Sequence, residues 1–407
     1  MNTRTPNRRG PRRSFSRSTM PRKPYGGSRF GGGQRSRQGG ERIDFSRFIN
    51  KAVITEEVDH FVPEHKFQDF AIDQHLKRAI TARGYTDPTP IQDRTIPHIL
   101  RGSDLVGIAN TGTGKTAAFL IPLIHKVRQS TSEHVLIIVP TRELAIQIDQ
   151  ELKDLTRGMK IFSACCVGGM NIRPQIQALR YRHNFIIGTP GRLKDLIDRR
   201  IIHLSDIKTV VLDEADRMLD MGFIADMRFV IAGMSKERQT LFFAATFSSE
   251  VERFVKEFLR DPVRISVKTR DTSKNVDQDV VKIGRDQVKI EVLHDLLNQK
   301  ELSKVLIFGR TKHGVEKLSK ILIQRGFSAE SIHGNKNHAK RQRALGLFKT
   351  DRIKILVATD VAARGIDIAD VSHVINYDLP ETYDDYIHRI GRTGRGDKKG
   401  KALTFVG

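Results

Sequence analysis

From about residue 65 onward, short apolar runs alternate with stretches in which apolar residues recur at helical spacing. The runs at 105–109, 135–140, 161–166, 185–188, 210–213 and 240–244 read as strands. Between them, 116–128 and 142–157 read as helices. Alternation of this kind predicts crossover units and a parallel sheet covered on both faces. The rhythm pauses at 268–275, KTRDTSKN, a polar stretch that reads as a linker. It then resumes with strands at 304–308, 328–333, 354–358 and 371–377, helices at 313–325, 340–349 and 382–390, and a strand-like 401–406. The pattern predicts two α/β lobes of about 200 and 130 residues.

Length agrees, since 407 residues at ~150 per domain suggest two or three domains. Hydrophobic residues are 38% of the chain, enough for real cores. No apolar run is long enough to span a bilayer. The two cysteines, Cys165 and Cys166, cannot build a disulfide framework or a four-ligand zinc site. As strand neighbours they point to opposite faces, which predicts packing roles in a reducing compartment.

Charge adds a partner class. Lys and Arg total 70 against 47 Asp and Glu, a net +23, which favours a polyanion. About half of that excess sits in residues 1–42, with twelve Lys or Arg, one acid (Glu41), eight Gly and four Pro. Such a composition cannot bury enough surface to offset ordering entropy, so a disordered basic tail is expected. It reads as an arm for phosphate backbones, a solubilising tail or an organellar transit peptide.

The first chemistry lies at Ala109–Thr116, ANTGTGKT. The general phosphate-loop pattern starts with Gly where this chain has Ala109, but the strand–loop–helix context matches. Ala109, Asn110, Thr111, Gly112, Thr113 and Gly114 form the candidate cradle. Its glycines let backbone N–H groups face a phosphate. Lys115 can reach outer phosphates, and the Thr116 hydroxyl can coordinate Mg²⁺. Further on, Val210-Val211-Leu212 runs into Asp213-Glu214-Ala215-Asp216. Asp213 can hold Mg²⁺ through water, and Glu214 can polarise an attacking water.

Those four residues spell DEAD, and the sequence resembles the DEAD-box RNA helicases of superfamily 2 from about Phe67 to the C-terminus. About ten motifs stand in family order. The resemblance implies two RecA-like lobes, with a first lobe at 94–267, the linker at 268–275 and a second lobe at 276–407. Residues 43–64 form a variable lead-in, and 65–93 an adenine-reading region. There, Gln92 can read an adenine edge as a bidentate pair, Tyr85 can stack on the base, and Phe67 matches the isolated upstream aromatic. The backbone-contacting RNA motifs match Pro140-Thr141-Arg142-Glu143-Leu144, Gly168-Gly169 and Thr189-Pro190-Gly191-Arg192. Such contacts carry no base identity, so largely sequence-independent binding is implied.

In the second lobe, Arg341, Thr359 and Arg364-Gly365 match RNA-side positions and Asp367 a ribose position. Arg392 and Arg395, in His388-Arg389-Ile390-Gly391-Arg392-Thr393-Gly394-Arg395, match arginine fingers that complete the ATP site from the opposite lobe. His388 and Asp216 would couple the lobes. The resemblance therefore implies ATP and Mg²⁺ as cofactors, RNA as partner, and hydrolysis that needs lobe closure and locally prises apart short duplexes.

The chain departs from the family in three places. Ala244-Ala245-Thr246 stands where Ser-Ala-Thr is usual, which admits an ATP-dependent clamp or annealer with weak unwinding as an alternative. His338 replaces a usual Gln. The chain stops at Gly407, so a short or absent final helix is expected. A DNA-directed motor on the same fold is a further reading, which the DEAD tetrapeptide and Gln92 disfavour. A monomer, ribonucleoprotein partners, no membrane association and a cytoplasmic location complete the expectations.

Overall fold

In a computed structural model, described at residue 49 and at 61–110, 112–130, 132–267, 276–284, 286–363, 371–394 and 400–407, the chain builds two parallel sheets. The tail at 1–42, the lead-in before residue 61 (residue 49 aside) and the linker at 268–275 lie outside the described residues. The first sheet comprises β1 (Leu105–Ile108), β2 (Val135–Ile138), β3 (Ser163–Cys166), β4 (Phe185–Gly188), β5 (Thr209–Leu212), β6 (Gln239–Ala244) and β7 (Val263–Ser266). Their spatial order is β3-β4-β2-β5-β6-β1-β7. The second comprises β8 (Val276–Lys282), β9 (Val305–Phe308), β10 (Ala329–Ile332), β11 (Ile355–Ala358), β12 (His373–Asn376) and β13 (Gly400–Val406), ordered β10-β11-β9-β12-β13-β8.

Alternation along each strand separates two cores. Leu241 and Phe243 of β6 enter one apolar cluster with Ile121 and Phe119. Phe242 and Ala244 enter the other with Leu212, Met218 and Phe254. Both clusters are buried by crossover helices, which is why the strands read as unbroken apolar runs. Cys165 and Cys166 obey the same rule: Cys165 packs against the first cluster and Cys166 belongs to the second. Burial pushes both thiols up to about 12, so neither is a reactive thiolate.

Register brings the chemistry to one edge. Ile108 pairs Ala244, Ile138 pairs Leu212 and Gly188, and Gly188 pairs Cys166. β2 to β5 end level, while β1 and β6 run two residues further because Leu212 pairs Phe242; the loops that follow all share the carboxyl edge, where open α/β sheets bind ligands. Two strands were not expected, β7 and β8. Both are edge strands with part-exposed, polar-rich faces, so neither presents an apolar run.

Candidate active site

The loop after β1 turns through Gly112 (φ 83°) and Gly114 (φ 91°) into the helix Lys115–Gln129. Gly114 is required twice over: its left-handed backbone excludes most side chains, and an added Cβ would run into the Gln92 amide. Thr113 Oγ1 donates to the Asn110 carbonyl at 2.8 Å, bracing the loop. Ala109 N–H donates to the Ala244 carbonyl at 3.0 Å, prolonging the sheet. Lys115 is buried, and its Nζ donates to the Ala109 carbonyl at 2.7 Å, so it lies folded across the mouth of its own loop.

Across from this loop, Asp213 N–H donates to the Ile138 carbonyl at 3.1 Å, which fixes the acidic segment to the sheet edge. Asp213 is 3% exposed. Burial pushes its carboxyl up to about 6; nearby Lys115 pulls it down, and the charge of Glu214 pushes it further up. Glu214 sits in the left-handed region at φ 51°, a conformation that costs about 1–3 kcal/mol for a non-glycine. Its Oε2 accepts from Arg217 Nη1 at 2.6 Å. Asp216 Oδ2 accepts from Ala245 N–H at 3.0 Å, Thr246 N–H at 2.8 Å and Thr246 Oγ1 at 3.0 Å. The acidic loop and the Ala244-Ala245-Thr246 loop are thus joined without any hydroxyl at 244.

These parts surround one cavity of about 460 Å³ lined by Tyr85, Gly112, Gly114, Lys115, Thr116, Asp213 and Glu214 of the first lobe and by Lys349 and Arg392 of the second. That volume is in the range of a small-ligand or cofactor pocket. Glycine-turned N–H groups, Lys115 and Arg392 could take phosphates there. Thr116 and Asp213 share the cavity. A buried carboxylate held at about 6 with one lysine for counter-charge has the chemistry of a divalent-cation site, and these two residues could hold Mg²⁺.

The residues expected at the adenine side also make contacts within the chain. Gln92 is 1% exposed and already engaged on both amide atoms: Oε1 accepts from Thr89 N–H at 3.0 Å and Nε2 donates to the Gly114 carbonyl at 3.1 Å. It clamps the phosphate loop and keeps one N–H and one lone pair for a bidentate contact. Phe67 is buried behind Tyr85, ring centroids 6.0 Å apart, and against Phe70 at 6.1 Å; it does not line the cavity. Tyr85 does line it, with its hydroxyl donating to Glu151 Oε1 at 3.2 Å.

The expected RNA-side segments of the first lobe come together. Pro140 and Thr141 are buried, and the Thr141 hydroxyl caps the helix Arg142–Leu155 by accepting from Leu144 N–H. The Arg142 guanidinium lies over Gly169 (φ 70°), where any Cβ would collide with it. Gly168 N–H donates to Thr189 Oγ1 at 3.4 Å, and Thr189 precedes the helix Pro190–Asp198 with Gly191 exposed. Arg192 donates to Gln175 Oε1 at 2.8 Å and to the Met170 carbonyl at 3.1 Å, so it fastens this surface rather than standing free on it.

In the second lobe Thr359 is buried, with its N–H on the Ile332 carbonyl at 3.3 Å. Arg341, expected on the RNA side, is buried here, its guanidinium paired with Glu143 of the first lobe at 2.9 Å. His388 lines a narrow interlobe pocket with Arg217 and Arg392. Thr111, Arg364, Gly365, Asp367 and Arg395 lie outside the described residues. Sequence reasoning passed over Arg217 and Lys349, and it named Glu143 only as part of the Pro140-Thr141-Arg142-Glu143-Leu144 motif. Arg217 had one local signal, its place in the helix that starts directly after Glu214; the other two depend on tertiary placement.

Residues 89–254 match the DEAD/DEAH box helicase family model, and 288–397 match the helicase conserved C-terminal domain. The chain is 46% identical to the ATP-dependent RNA helicase CshA of Listeria monocytogenes over 84% of its own length and 66% of that protein's. It is 45% identical to the DEAD-box ATP-dependent RNA helicase CshA of Bacillus subtilis over 84% of this chain and 69% of that one. The chain thus spans about two thirds of the length of these relatives. Saccharomyces cerevisiae Dbp5 bound to RNA and ADP BeF3 superposes with a TM-score of 0.75 at 31% identity, covering 84% of this chain and 89% of that chain. Mss116 bound to ssRNA and UDP-BeF superposes at 0.76 with 29% identity, over 85% and 76%. With its phosphate loop, acidic loop and second-lobe arginine around one cavity, and with likeness over both lobes, the chain belongs to the DEAD-box family of ATP-dependent RNA helicases.

Proposed function

We propose that the chain is an RNA-stimulated ATPase that uses closure of its lobes to remodel short RNA duplexes. The observation that carries this reading is the shared cavity. Lys115, Asp213 and Glu214 line it from one lobe and Arg392 from the other, so a complete set of phosphate ligands exists only when the lobes meet. Relatives of known structure bound to RNA and a nucleotide analogue support the pairing of those two ligands.

In this reading the phosphate-loop N–H groups and Lys115 hold the β- and γ-phosphates. Thr116 and Asp213 would hold Mg²⁺, which would supply positive charge against the phosphates. Glu214 orients the attacking water, and Arg392 neutralises charge that spreads onto the γ-phosphoryl oxygens. Arg395 and Asp367 extend the same site on the basis of their motifs. Gln92 holds the loop shape that the phosphates require. RNA lies along Arg142, Gly169 and Gly191, touching backbone rather than bases. RNA that binds across closed lobes raises the population of the hydrolytic arrangement, and ATP tightens RNA by linkage. We place the lobes at 94–267 and 276–407, joined by 268–275, and assign the basic tail to sequence-independent RNA contact. We further propose a monomer with ribonucleoprotein partners and a cytoplasmic location.

The test is ATP hydrolysis with and without single-stranded RNA. Wild type is expected to be stimulated by RNA, Glu214→Gln to lose turnover, and Lys115→Ala to lose nucleotide binding. Equal stimulation by DNA would redirect the substrate assignment, and wild-type turnover in Glu214→Gln would sink the chemistry.

A further inference from the structure

The cavity explains Glu214 but not the arginine that grips it. Glu214 immediately precedes the helix Ala215–Asp220 that carries Arg217, so the two side chains stand near the start of that helix. Nη1 donates to Oε2 at 2.6 Å, with the side chains only 5% and 9% exposed. That bond engages one carboxylate oxygen and leaves Oε1 for a water. Backbone alone does not set this orientation, since Glu214 stands in a left-handed conformation just outside the helix Ala215–Asp220.

The other end of the guanidinium is the second observation. Arg217 Nη2 is buried and has no hydrogen-bond partner among the described residues. It belongs to a side chain that lines a narrow pocket with Asp360, His388 and Arg392 of the second lobe. A buried, unpaired guanidinium N–H is costly and calls for a reason. A surface arginine serving only helix stability would turn this nitrogen to water.

We propose that Arg217 is a positioning residue through which the second lobe acts on Glu214. This inference rests on the catalytic reading above. The second lobe forms a wall over the Arg217–Glu214 pair and excludes water from it, which strengthens the bond that fixes the carboxylate. With the lobes apart the pair becomes a solvated one of the ordinary kind, weak and loosely oriented. Arg217 thus makes the aim of the water-orienting carboxylate depend on closure, alongside the direct arrival of Arg392.

The experiment uses the full chain with Arg217→Met, which keeps much of the side-chain length without charge, and Arg217→Lys, which keeps the charge without the fork. At saturating RNA, Arg217→Met is expected to lower kcat about tenfold to a hundredfold, as a misaimed reacting group does. Its KM for ATP and half-saturating RNA should stay within about threefold, because the residue touches neither ligand. Arg217→Lys should recover part of the loss. In a Glu214→Gln background, single-turnover rates should fall less than about twofold further on adding Arg217→Met, since the arginine acts through the carboxylate. Wild-type kcat in Arg217→Met, a loss carried by KM alone, or a full extra loss in the Glu214→Gln background would overturn the proposal. Should Arg217→Met fail to fold, an Arg217→Lys kcat equal to wild type would overturn it equally. Normal turnover in Glu214→Gln alone would instead overturn the catalytic reading beneath it.

Discussion

Arg341 Nη2 meets Glu143 Oε2 at 2.9 Å across the two lobes, with side chains only 10% and 4% exposed. Each partner keeps one buried atom unpaired, Arg341 Nε and Glu143 Oε1, so the latch is strained by desolvation as well as drawn by charge. Burial lowers the Arg341 pKa, the Glu143 carboxylate opposes that shift, and neighbouring Arg142 adds to it. Removing one member of such a pair leaves an uncompensated buried charge, which costs about 3–5 kcal/mol. That cost falls only on the arrangement in which the lobes touch. Glu143→Gln is therefore expected to remove most of the tightening of RNA binding by a non-hydrolysable ATP analogue, since that cost exceeds a typical coupling energy of about 1–3 kcal/mol. Were Arg341 an RNA ligand, removing the acid beside it would tighten RNA instead. Fluorescence titration of labelled single-stranded RNA, with and without the analogue, separates the two.

Gln92 ties the adenine-side segment to the phosphate loop by its bond to the Gly114 carbonyl. Gly114 also caps the helix that carries Lys115. Gln92→Ala would free the loop and leave a small void, while Gln92→Glu would set a carboxylate against a carbonyl. Both are expected to raise KM for ATP about tenfold, the value of one well-made buried polar contact. The Glu variant should be the worse of the two, in a steady-state ATPase assay at saturating RNA.

Asp216 receives three hydrogen bonds from Ala245 and Thr246, two of them from backbone N–H groups. The absence of a serine at 244 therefore leaves the joint between these loops in place. Ala244 is fully buried within an apolar cluster, so Ala244→Ser would add a hydroxyl there at a cost of about 1–3 kcal/mol unless it found a partner. Thr246→Ala removes the one side-chain bond in the joint. Strand separation per ATP consumed is expected to fall in Thr246→Ala and to change by less than about twofold in Ala244→Ser. A short-duplex unwinding assay run beside ATPase measures both.

What the sequence made legible follows the range of the interactions. The strands β1 to β6, the loop at Ala109–Thr116 and the acidic run at Asp213 are local patterns, and apolar period or fixed spacing reveals them. The edge strand β8 is half-exposed and reads VDQDVVK, which no apolar run announces. The partners of Gln92 and Arg341 lie 22 and 198 positions away in the chain, and residue type alone does not choose among many acids and carbonyls. Phe67 shows the same limit from the other side. Its position marks it as the isolated upstream aromatic, while its packing against Phe70 and Tyr85 in the core depends on contacts that spacing does not announce.

Asp213 ties the site to pH. Its folded-state carboxyl stands at about 6 against an ordinary 3.8, chiefly through burial. A raised carboxyl means that the fold holds the proton more tightly than the unfolded chain does. Its favourable contribution is complete below pH 3.8 and is lost as pH rises through about 6. At neutral pH the ionised, buried group thus costs the nucleotide-free protein on the order of 2–3 kcal/mol. Asp213→Asn should therefore raise Tm in the absence of Mg²⁺ and nucleotide at pH 7.5, and the gain should shrink through pH 6 and vanish near pH 4. Adding Mg²⁺ with an ATP analogue should reverse the order, because the cation stabilises only the ionised carboxylate. Thermal unfolding across that pH range, with and without the metal and analogue, reads both effects; a Tm gain independent of pH would show that burial of charge is not the cause.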